Sequence, residues 1–92
     1  MVNKQYDVIA EKLKVIAHAH RLCIVKTLIE FPCNVSKIQD CLSISQSSVS
    51  QHLAKLRAAG IVEGNRMGSE VCYKVVDAAV ISIMDCLFDL KK

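Results

Sequence analysis

Ser45-Gln46-Ser47-Ser48-Val49-Ser50-Gln51-His52-Leu53-Ala54-Lys55-Leu56-Arg57-Ala58-Ala59-Gly60 is the stretch that decides the fold. Val49, Leu53 and Leu56 recur at steps of four and three, which places them on one face of a helix. Ser45 caps that helix, because a serine hydroxyl accepts from an amide the first turn leaves unpaired. Gly60 supplies the left-handed stop at its other end. The face opposite the apolar stripe carries Gln46, Ser47, Ser50 and Gln51, all polar and uncharged and all near the helix N-terminus.

On the N-terminal side, Tyr6, Ile9, Leu13 and Ile16 share a face and predict a first helix over 5–18. A second helix is expected over 20–30, stopped at Phe31-Pro32 because proline has no amide proton to continue the ladder. Ser36 is expected to cap a short third helix ending at Leu42. On the C-terminal side, Ile61-Val62 opens a strand and Asn65–Ser69, with Gly64 and Gly68, is read as the turn. Val71, Tyr73 and Val75 then alternate as the inward face of a second strand, which points Cys72 outward. Asp77 starts a last helix that is apolar almost all round: Val80, Ile81, Ile83, Met84, Leu87, Phe88 and Leu90. A helix of that kind in so short a chain calls for a partner helix from a second copy.

The order helix, helix, short helix, helix, hairpin, helix is mainly α with a small β-hairpin. It is a winged helix-turn-helix in a single domain over residues 1–92. In this motif the second helix of the turn enters the major groove. Gln pairs with adenine through two hydrogen bonds, Ser reaches bases or phosphates, and a helix N-terminus attracts phosphate. Gln46, Ser47, Ser48, Ser50 and Gln51 are therefore the candidate DNA contacts. Lys55 and Arg57 follow along the helix, and Arg66 is expected at the hairpin tip, within reach of a flanking groove.

Composition narrows the function classes. The 92 residues are 52% hydrophobic and 23% charged, which excludes a disordered tail. No apolar run has the length of a membrane span, and the N-terminus has no apolar signal core, so a cytoplasmic protein is expected. Net charge is +3, and a symmetric dimer doubles it to a modest attraction for phosphate. Residues 46–76 hold Lys55, Arg57, Arg66 and Lys74 against Glu63 and Glu70. Five cysteines, an odd number with no Cys-x-x-Cys pair, argue against a disulfide framework and a closed zinc site. No paired carboxylates, nucleophile–base set or phosphate loop is present, so no enzyme is expected.

The helix quoted first, its continuation Ala59-Gly60-Ile61-Val62, the wing Arg66–Val75 and the segment Leu13–Val25 resemble the ArsR/SmtB family of bacterial winged-helix repressors. The resemblance covers nearly the whole chain. It implies a homodimer joined through the first and last helices, bound to palindromic double-stranded promoter DNA and released by an inducer. The family's groove-contacting positions fall on Gln46, Ser47, Ser50 and Gln51. Its metal-binding positions fall on Asn34 and Ser36 and on Asp77 and Ala79, which provide neither a thiolate pair nor an Asp–His pair, so no metal and no cofactor is expected. Its sulfur-sensing cysteine positions fall on Lys26 and Lys92. Cys23, one turn before Lys26, and Cys86 on the last helix are then the candidate redox pair. The inducer itself is not encoded legibly. Two alternatives stand beside the redox-released repressor: an interaction module of the same fold without DNA binding, and a repressor with no inducer.

Overall fold

Asn3 opens the first helix by accepting the Gln5 amide on Oδ1 at 2.6 Å. The computed structural model describes residues 3–33 and 35–89, so the positions named above at Asn34, Leu90 and Lys92 lie outside the described residues. Helix α1 spans Lys4–Ile16 and α2 spans Ala19–Glu30, with His18 as its cap. Helix α3 spans Val35–Leu42, so Ser36 sits inside its first turn and not at the expected cap position. Ile38 of α3 is fully buried.

Helix α4 spans Gln46–Ala58, and Ser45 Oγ accepts the Ser48 amide at 3.1 Å, as expected of its cap. Its far end is a Schellman closure: Gly60 N–H donates to the Arg57 carbonyl and Ile61 N–H to the Leu56 carbonyl, both at 3.0 Å. Gly60 makes this possible with φ +75°. The closure turns the chain straight into β1, Val62–Met67, which pairs antiparallel with β2, Glu70–Val75, from Val62↔Val75 to Met67↔Glu70.

Three expectations for the hairpin need correction. The turn is Gly68-Ser69 alone, not Asn65–Ser69, with Gly68 at φ +67°. Gly64 is no turn residue. It faces Tyr73 across the ladder, and a Cβ there would stand 2.9 Å from the Tyr73 ring. Arg66 therefore lies within β1, opposite Val71, one pair short of the tip. Cys72 is buried, not outward-facing. Tyr73 and Val75 do pack on the core, but Cys72 is covered from outside that core by Cys33, with which it forms a disulfide.

Helix α5 spans Ala78–Phe88 and is capped by Asp77, whose Oδ1 accepts the Val80 amide at 3.0 Å. The other carboxylate oxygen pairs with Lys12 of α1. That pairing, helped by backbone amides and opposed by burial, holds the Asp77 carboxyl below its usual range. The core joins all five helices through Ile16, Ile24, Leu28, Ile38, Val49, Leu53, Leu56, Val80 and Met84, with Ile61 and Val62 from the wing. Of the stripe Tyr6, Ile9, Leu13 and Ile16, only Ile16 is buried; the others are 66%, 48% and 45% exposed.

Candidate nucleic-acid interface

The core contacts of Val49, Leu53 and Leu56 fix how α4 is rotated about its axis. With those three buried, Gln46, Ser47, Ser50 and Gln51 are all exposed, as the periodicity requires. Ser48 differs. It is half-buried, and its hydroxyl accepts from Ser45 Oγ at 3.0 Å, so it belongs to the cap of α4. Lys55 and Arg57 are exposed on the last turn, and Arg66 is exposed on the wing.

The polar end of α4 borders an open cleft of about 580 Å³. Gln46 and Ser50 form one wall, Pro32 and Cys33 another, and Glu70 and Val71 of the wing a third. The turn before α3, the start of α4 and β2 are thus assembled around one concavity. Cys33 makes this junction. It adopts φ +70°, its amide donates to the Tyr73 carbonyl at 3.1 Å, and its Cα lies 4.2 Å from that of Cys72.

The cysteines expected to act as a redox pair, Cys23 and Cys86, are both free thiols. Burial raises the Cys23 pKa, partly countered by a hydrogen bond with Thr27, and neighbouring Cys41 raises it further. A thiol held protonated is a poor nucleophile. Cys86 is exposed.

Sequence reasoning missed a second junction. Arg21 of α2 donates through Nε to His52 Nδ1 of α4 at 3.2 Å and through Nη1 to the Val15 carbonyl at 3.1 Å. One side chain thereby ties α1, α2 and α4. His52 stands half-buried among His18, His20 and Arg21. Desolvation lowers its pKa below 6.5, and the neighbouring His18, Arg21, His20 and Lys55 add to the effect.

Residues 19–64 match the family described as "Bacterial regulatory protein, arsR family". The chain is 30% identical to the biofilm growth-associated repressor of Xylella fastidiosa, over 97% of this chain and 78% of that one. It is 40% identical to the transcriptional repressor PagR of Bacillus anthracis, over 85% and 79% of the two chains. Its fold superposes on that of HlyU from Vibrio cholerae with a TM-score of 0.87 at 30% identity, over 97% of each chain. The first two of these relatives are named as repressors. Helices α2 to α4 and the start of the wing fall inside the matched span, and the chain belongs to the ArsR family of bacterial regulatory proteins.

Proposed function

We propose that the chain is a cytoplasmic, homodimeric transcriptional repressor that binds a palindromic promoter site. The observation that carries this reading is the exposed row Gln46, Ser47, Ser50 and Gln51 at the capped N-terminus of α4. Each of these side chains can hydrogen-bond a base edge or a phosphate, and the helix end adds free amides for phosphate. Lys55 and Arg66 serve as sequence-independent phosphate contacts. The dimer is joined through α1 and α5, whose exposed apolar residues include Tyr6, Ile9, Leu13, Ile81, Leu87 and Phe88.

Release follows thiol oxidation, with Cys33 and Cys72 in place of Cys23 and Cys86. Two thiols become one disulfide, two electrons pass to a peroxide or a disulfide oxidant, and two protons leave. The bond fixes the wing to the turn before α3, and duplex DNA must engage the wing and α4 together. Locking the wing to that turn removes the wing's adjustment relative to α4 that docking needs.

The test is fluorescence anisotropy of the chain's own labelled promoter fragment, titrated with reduced protein. Specific binding is expected to weaken steeply with salt. Added oxidant is expected to release the DNA and reductant to restore it, and Cys33→Ser is expected to abolish the response. No binding to the duplex would overturn the repressor reading. Tight binding indifferent to oxidant would overturn only the release mechanism.

A further inference from the structure

The chain has three histidines, and all three meet. His18 caps α2, His20 lies in its first turn, and His52 lies midway along α4. Ring centroids are 4.8 Å apart for His18 and His52, 5.3 Å for His18 and His20, and 5.5 Å for His20 and His52. One nitrogen from each ring lies within 4.8 Å of the other two. Ligand nitrogens around a tetrahedral zinc stand about 3.3 Å apart, given bonds of about 2.0–2.1 Å. Closing that gap takes movement of the rings, for which His18, the exposed member, has room.

Two of the rings already present a nitrogen as an acceptor. His18 Nδ1 accepts the His20 amide at 3.2 Å, and His52 Nδ1 accepts from Arg21 at 3.2 Å. In each, that acceptor nitrogen carries the lone pair a metal ion would take once the present donor leaves it. Both hydrogen bonds stand at 3.2 Å, and each is given up where the ion takes that nitrogen.

The geometry points to a three-imidazole site for a divalent first-row transition ion, clamping the N-terminus of α2 to α4 and open to solvent at a fourth position. Three imidazoles suit zinc, nickel, copper or cobalt, and not magnesium or calcium. The site uses no cysteine and none of the Asn34, Ser36, Asp77 and Ala79 positions. It also carries an antagonist. If the ion binds His52 at Nδ1, it displaces Arg21 outright. If it binds at Nε2, the ring proton moves to Nδ1 and confronts the Arg21 N–H. Either way Arg21 must leave His52, and its charge opposes the ion. Metal occupancy and the Arg21 link between α2 and α4 are mutually exclusive.

The test uses the full chain, free of any histidine tag, with thiols reduced, titrated with Co(II) and separately with Zn(II). One ion per chain is expected, with Co(II) d–d bands and no thiolate charge-transfer band. Long-range proton–nitrogen spectra of the unmutated chain should show the ring nitrogens of all three histidines shifting together with Zn(II). His18→Ala, at an exposed position, and His52→Ala should each weaken binding at least about tenfold. Arg21→Met should tighten it, an outcome that mere packing of the rings does not produce. No uptake, uptake indifferent to the histidine substitutions, or a thiolate band would each overturn the site. None of these readouts depends on DNA binding, so the site and the repressor reading fail separately.

Discussion

Gln46 and Ser50 lie one turn apart on the exposed side of α4, and neither packs in the core. Their removal should leave the fold intact and act only on what the helix reads. Gln46→Ala is expected to cost about 1–3 kcal/mol on the specific site and much less on random DNA. Anisotropy titrations against both duplexes check it, and equal losses on the two would sink the base-reading role. Ser48→Ala should barely discriminate between the duplexes, because that hydroxyl is engaged by Ser45. The exposed polar row was legible in the sequence because burial of Val49, Leu53 and Leu56 leaves α4 only one way to face. The hydrogen bonds of Ser48 to Ser45 were not legible, since a cap and a contact need the same residue type. Cys72 was misread for a related reason: strand alternation marks the core side, and it says nothing about a distant cysteine covering the other face.

The helices were legible from period and caps, and their observed ends differ from expectation by only a residue or two. The hairpin turn was misplaced because glycine has two uses. Gly68 supplies a positive φ, whereas Gly64 makes room for the Tyr73 ring, and sequence does not separate the two. At this scale Asp77 is the sharpest test. It caps α5 and binds Lys12 of α1, so Asp77→Ala should destabilise by about 1–2 kcal/mol in urea, while Asp77→Asn should keep part of the cap. The pH dependence has a definite sign. Its folded pKa is lowered, so the unfolded chain binds the extra proton first as pH falls. The carboxylate's contribution is complete above about pH 4, the unfolded value, and is lost as pH drops through the lower folded value. Urea midpoints from pH 6 downward should therefore converge for the unmutated chain and Asp77→Ala. The wing gives a matching test on DNA: Arg66→Ala should weaken specific and random duplexes alike and reduce the salt slope by about 1.

For the whole molecule the unbalanced quantity is apolar surface. Leu87 is 63% exposed and Tyr6 66%, yet the core of this protomer is already closed by Val80, Met84 and Ile16. Refolding one chain cannot bury these groups, because α1 and α5 have spent their inward residues and are pinned to each other through Lys12 and Asp77. A second copy can, by laying the same two faces against its own. Long-range meetings within the chain, such as His18 with His52 or Cys33 with Cys72, were invisible to periodicity, which reports one element at a time. The unburied faces of α1 and α5 were visible because each is a property of a single helix. Sedimentation equilibrium at micromolar concentration is expected to give twice the chain mass. Leu87→Asp should shift that equilibrium toward monomer without loss of helical circular dichroism, since the side chain is solvent-exposed in the protomer. It should also weaken binding to a full palindrome far more than to an isolated half-site, because only a dimer engages both halves. A monomeric unmutated chain would remove this account of the two helices and with it the palindromic mode of binding.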